Sequence, residues 1–183
     1  MTTQTMPTSQ SRIDYRSVSP EAIKGMYELE SFVRTCGLDG TLIHLVKVRA
    51  SQINGCAYCI DMHTKDARAD GESEQRLYAL NAWRETPFFT EAERAGLAWA
   101  EALTNIQQGH APDDVYEELT RHFSEKDIVS LSLAITTINA WNRIAIGFRA
   151  PAGTYQPQRI ARSSPPSSLH PILAHRARMG WPF

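Results

Sequence analysis

Cys56-Ala57-Tyr58-Cys59, followed by His63, is the part of this 183-residue chain whose residue types and spacing could do chemistry. On a helix Cys59 and His63 stand four residues apart on one face, and Cys56 lies within reach of Cys59. A thiol in the first turn of a helix feels the positive end of the backbone dipole, which favours the thiolate. His63 could take the proton of Cys59, or as an imidazolium stabilise its thiolate. On that reading Cys59 is the attacking sulfur and Cys56 resolves the resulting sulfenic acid by forming a disulfide. Such a cycle reduces a peroxide and needs an external dithiol to restore it.

These residues must be positioned by helices, because strand signals are nearly absent. Ser19-Pro20-Glu21 reads as a helix start; Ile23, Met26, Tyr27, Phe32 and Val33 form its apolar face, and Gly37 closes it. A second helix is expected from Thr41 to Ile53, burying Leu42, Leu45, Val46 and Ile53. Asn54-Gly55 breaks it, and a third runs from about Cys56 to about Gly71. Ser73 opens a shorter helix to about Trp83. Thr90-Glu91-Ala92-Glu93 is a capping box for a helix to about Thr104, and Pro112 starts another to Phe123. Ser124 to Asp127 cap the last, Ile128 to about Phe148. It is apolar nearly all round, which points to burial in a core or at a subunit contact. Asn139, Asn142 and Arg143 within it argue against a membrane span.

The expected organisation is a flexible tail at 1–14, one all-α domain of about seven helices at 15–154, and an extension at 155–183. Half of the ten prolines lie between Pro157 and Pro182, and that extension carries four arginines with no Asp or Glu. Net charge is −1, with no basic stripe to track phosphates, so nucleic acid is not an expected partner. The polar stretch from Met1 to Ser11 has no apolar core of a signal peptide. Three cysteines, two of them in the pair, are not a secreted disulfide framework. The expectation is a cytoplasmic protein without membrane attachment.

Leu45 to His63 resembles the core of the AhpD-like alkylhydroperoxidase family, within the carboxymuconolactone decarboxylase superfamily. Ile138-Asn-Ala-Trp-Asn-Arg-Ile-Ala145, Gln75 to Tyr78 and Ala82 to Glu85 resemble it too, and the likeness covers roughly residues 15–154. It implies an all-helical bundle assembled into trimers or hexamers. It also implies reduction of a small hydroperoxide by the cysteine pair, reset by a dithiol protein or small thiol, with no further cofactor. The second cysteine, Cys59, would be peroxidatic and His63 part of the proton relay. Two positions depart from the family pattern. The relay glutamate twelve residues before the first cysteine is His44, which passes protons but supplies no fixed negative charge. The histidine often found between the cysteines is Tyr58.

Other readings of the same residues are a zinc site from Cys56, Cys59, His63 and His44, a redox-sensing module, and a decarboxylase that needs no cysteines. Asp61 and Lys65 are expected on a solvated face, Cys36 as a buried or half-buried bystander, and His110 and His122 as ordinary helix-end residues. Trp141 reads as core, and Arg143 as lining a pocket or pairing with a carboxylate.

Overall fold

The computed structural model describes residues 11–157, and in that span every element is helical. A single turn, α1 (Tyr15–Val18), leads into α2 (Pro20–Thr35), followed by α3 (Gly40–Asn54), α4 (Ala57–Ala69) and α5 (Glu74–Ala79). A 3₁₀ stretch over Leu80–Glu85 precedes α6 (Glu91–Thr104), α7 (Asp113–Thr120) and α8 (Glu125–Phe148). The helix expected from Ser73 to Trp83 is thus two pieces, because Ala82 adopts φ −117°, ψ 29° and breaks the helical path. The side chain of Ser73 caps α5, Thr90 and Glu93 form the full capping box of α6, and Ser124 caps α8. None of the described helices is long and apolar enough to cross a membrane.

α3 is the central element. Leu45, Val46, Val48, Ala50 and Ser51 are wholly buried on it, and α4, α6 and α8 pack around it. Gly96 sits where α6 comes closest, since a Cβ there would fall 2.8 Å from Leu42 Cδ1. Leu97, Leu131, Ile135 and Ile138 complete the interior from α6 and α8; each such side chain contributes about 1.5–3 kcal/mol by leaving water. Glu101 of α6 ties three elements together: it accepts from Arg49 Nε of α3 at 2.7 Å, from Trp83 Nε1 at 2.9 Å, and from Arg84. α8 is buried along one side only, with Val129 and Ile146 exposed on the other.

α2 shows why helical phase decides burial. At 100° per residue Ile23, Tyr27, Glu30 and Val33 share a stripe, and Phe32 falls on the far side, where it is exposed. The expectation for Phe32 was therefore wrong. The middle of the stripe is a carboxylate: Glu30 is buried and paired with Lys47 of α3, also buried, while Arg34 stands 3.9 Å from Glu30 at the rim.

Two charges out of water survive only as a pair. Glu30→Gln or Lys47→Met alone is expected to lower unfolding free energy by about 3–5 kcal/mol, because each strands its partner. The double variant is expected to regain most of that loss in urea titrations. Additive losses would mean the pair is not coupled.

Candidate active site

Gly55, at φ 69° in the left-handed region, ends α3, and its neighbour Cys56 becomes the N-cap of α4. Cys56 N–H bonds back to Ser51 O at 3.0 Å, so the chain reverses within two residues. The two helices form an antiparallel hairpin, with His44 at the start of α3 meeting Asp70 at the end of α4. His44, Lys47 and Ser51 lie on one face of α3, and Cys59, His63, Asp66 and Asp70 on one face of α4. A polar seam runs between them.

At its closed end are the cysteines. Cys56 and Cys59 are both buried, free, and have their sulfurs 2.7 Å apart. The Cys59 N–H donates to Cys56 Sγ at 3.4 Å, the cap expected of an N-terminal acceptor. Hydrogen bonding from Cys59 pulls the Cys56 thiol down to about 7 against its burial. The same contact, with deeper burial, pushes the Cys59 thiol up. The first proton to leave the pair therefore comes from Cys56, near pH 7, while the second stays on Cys59. The helix N-terminus was expected to favour a thiolate at this point. Its greater effect falls on Cys56, whose sulfur faces the first N–H groups.

A residue to which the sequence reading assigned no role completes this end. Asn142 of α8 is fully buried, and its amide acts on both sulfurs as a donor, lowering each thiol. Its orientation is set by two contacts, and Asn54 also holds its neighbour Asn139. Asn54 Nδ2 donates to Asn142 Oδ1 at 2.9 Å and to Asn139 Oδ1 at 2.9 Å, and Asn142 Nδ2 donates to Ser51 Oγ at 3.0 Å. An amide on an apolar helix signals in the sequence only that a partner is needed, not which residue supplies it. Arg143 is exposed, lies outside the cleft's lining and, among the described residues, meets no carboxylate; it donates to its own helix at Asn139 O, 2.8 Å away.

His63 lies one turn beyond Cys59 and is buried. Burial first, then the positive charges of Lys47, His44 and Arg34, hold its imidazole well below the usual histidine range. The ring is therefore held neutral, against the imidazolium form. His63 lines a shallow cleft of about 300 Å³, solvent-open space included, with Glu30, Arg34, Met62, Asp66, Trp141 and Tyr155. Trp141 is buried against Tyr27, ring centroids 5.6 Å apart. Tyr58, between the cysteines, is half-buried beside Arg16 of α1, and burial raises its phenol. His44 is brought into the seam at its outer end, bonded to Asp70.

Asp61 and Lys65 do more than face solvent. Lys65 Nζ pairs with Asp61 and donates to Tyr155 O at 2.9 Å, and Asp61 Oδ2 accepts Gly153 N–H at 3.0 Å. With Tyr155 Oη on Asp66 Oδ1 at 2.6 Å, they fasten residues 153–155 across α4. Tyr155, the first residue of the expected extension, is buried; the rest of that extension from 158 on, like residues 1–10, lies outside the described residues. Among the described residues no three His, Cys, Asp or Glu side chains converge as metal ligands, so Cys56, Cys59, His63 and His44 do not form the zinc set.

Residues 20–102 match the carboxymuconolactone decarboxylase family. The protein YdfG of Bacillus subtilis (strain 168) is 44% identical over 135 residues, 74% of this chain and 92% of YdfG. The crystal structure of ATU0492 from Agrobacterium tumefaciens, a protein of unknown function named for AhpD-type antioxidant defence, superposes with TM-score 0.77. Its sequence is 50% identical, and the match covers 80% of this chain and all of that one. The debrominase Bmp8 shares the fold at TM-score 0.69 and 21% identity, over 75% of this chain and 74% of its own.

Alkylation of the reduced pair by iodoacetamide is expected to rise with a midpoint near pH 7, set by Cys56. Asn142→Leu removes a donor to the thiolate, so the midpoint must move up. A move from about 7 to about 8 would cut the thiolate share at pH 7 from about half to about a tenth. An unmoved midpoint in folded Asn142→Leu, checked by circular dichroism, would remove the amide from the site.

Proposed function

The chain belongs to the AhpD-like branch of the carboxymuconolactone decarboxylase family, and from that premise we propose that it is a thiol peroxidase acting on small hydroperoxides. The observation that carries this reading is the juxtaposed cysteine pair at the N-terminus of α4, with a neutral histidine one turn away beside a cleft. Two thiols that can close to a disulfide without backbone movement store and release two electrons.

The resting charge sits on Cys56, yet Cys59 is the sulfur nearer His63 along α4. A proton shift along the short S–H···S contact, or to neutral His63, exposes the Cys59 thiolate. That thiolate attacks the terminal peroxide oxygen, the O–O bond breaks, and the alkoxide leaves with a proton as alcohol. Cys56 then attacks the sulfur of the Cys59 sulfenic acid, water departs, and the disulfide closes. An external dithiol, a protein or a small thiol, reduces it. Entering as a monoanion, the pair supplies one proton, and a second must come from elsewhere to complete alcohol and water.

On the same family premise the chain is expected to assemble into a trimer or hexamer. Two free buried cysteines in a peroxidatic pair fit the reducing cytoplasm.

Cys59→Ser is expected to abolish peroxide consumption in a dithiol-coupled assay, and Cys56→Ser to trap a sulfenic acid on Cys59, visible as a dimedone adduct. His63→Ala should slow disulfide formation by about 10²-fold or more, the range of a lost general base. A sulfenic acid formed on Cys56 in Cys59→Ser at the full first-turnover rate would exchange the two roles. Peroxide consumption surviving the loss of both cysteines would end the thiol mechanism.

A further inference from the structure

His44 and Asp70 face each other across the outer end of the α3–α4 hairpin, with His44 Nε2 2.8 Å from Asp70 Oδ2. A carboxylate oxygen only accepts, so Nε2 keeps its proton, and Nδ1 is the ring atom left to gain or lose one. Nδ1 is buried and meets no hydrogen-bond partner among the described residues. The dyad bridges two environments: the His44 side chain is 18% exposed and that of Asp70 72%. A buried nitrogen without a partner costs about 1–3 kcal/mol. A position that keeps such an atom, in a seam leading to His63, points to a proton that comes and goes.

The charged and titratable groups along this seam and its covers are Asp70, Asp66 and His63 on α4, Lys47 on α3, Arg34 and Glu30 on α2, and Tyr155. Positive charge on His44 acts on both His63 and Asp66. Asp66 is raised by its own burial, which leaves Asp70 as the carboxylate in direct contact with the ring.

We propose that the Asp70–His44 dyad is the proton store of the cysteine pair, with Asp70 a positioning residue that fixes Nδ1 as the exchanging atom. Resting on the peroxidase reading, it supplies the proton which the monoanionic pair lacks. Imidazolium, one thiol, one thiolate and a hydroperoxide become neutral imidazole, disulfide, alcohol and water. Reduction of the disulfide by an external dithiol leaves the pair as thiol and thiolate and returns one proton to Nδ1. A histidine at this position thereby does what a fixed carboxylate could not: it holds a proton while the sulfurs hold a negative charge, and gives it up when they do not.

Linkage supplies a test that does not depend on turnover. His44 is to be titrated by NMR of its ring nitrogens in the dithiol and disulfide forms of the full chain, for wild type, Asp70→Ala and Asp70→Glu. The midpoint should be higher in the dithiol form than in the disulfide form, fall in Asp70→Ala, and return in Asp70→Glu, with Nδ1 the atom that titrates. Peroxide-driven disulfide formation near neutral pH should slow roughly tenfold in Asp70→Ala, as for loss of an orienting partner, and recover in Asp70→Glu. Equal midpoints in the two redox forms, or a midpoint untouched by Asp70→Ala, would overturn the proposal. Wild-type protein whose disulfide never forms with peroxide would refute the peroxidase reading alone, leaving the midpoints to decide the dyad.

Discussion

The left-handed turn at Gly55 is the constraint on which the site depends. Only two residues separate α3 from α4, and a residue with a side chain would meet strain at φ 69°. The reversal makes Cys56 an N-cap rather than a helix-interior thiol, and it brings Cys59 N–H onto the Cys56 sulfur. It also sets the register of the hairpin. With Cys56 N–H bonded to Ser51 O at one end, His44 meets Asp70 at the other, and Lys47 falls level with His63. A one-residue change in the turn would rotate α4 by 100° and remove every polar side chain from the seam.

That seam would be unaffordable without covering elements that answer its polarity. α2 lays Glu30 over Lys47, so the ammonium near His63 is neutralised within the interior and not by water. α8 covers the sulfur end with Asn142, whose carbonyl is satisfied by Asn54 and whose amide group reaches Ser51 and the cysteines. The same two covers set the chemistry. Burial plus Lys47 keeps His63 neutral, while a donor amide and a helix N-terminus keep a thiolate at Cys56. Acid and base are separated by environment and not by residue type.

Helices with local signals were legible. Ser124, Thr90 with Glu93, and Gly55 cap through contacts between near neighbours in the chain, and the sequence shows both partners of each. The interval Cys56, Cys59, His63 was legible for the same reason. What could not be read depends on packing between distant segments. Glu30 lies in the centre of an apolar stripe, a visible anomaly, but its partner is seventeen positions away on another helix. Asn142 meets Asn54 and Ser51 across 88 and 91 positions, and nothing local distinguishes it from Asn139. The greater stabilisation of Cys56 over Cys59 follows from which sulfur accepts the other residue's N–H, a matter of ångströms that spacing alone does not resolve.

Charge conservation links these features. In its thiolate form the pair carries one negative charge and would close to a neutral disulfide, so each step of the proposed cycle must move a proton as well as two electrons. The buried interior around it offers few places to put one. His63 is held neutral by Lys47, His44, Arg34 and its own burial, Lys47 is committed to Glu30, and Asp66 is bonded to Tyr155. A proton left resting on His63 would be a buried charge with no counterion, and Lys47 is already protonated. Along the seam, the first site where positive charge meets a solvated carboxylate is His44 against Asp70. On the proposed reading the fold separates the sulfur chemistry, which needs a dry and rigid pocket, from the proton exchange, which needs water. One antiparallel helix pair connects them.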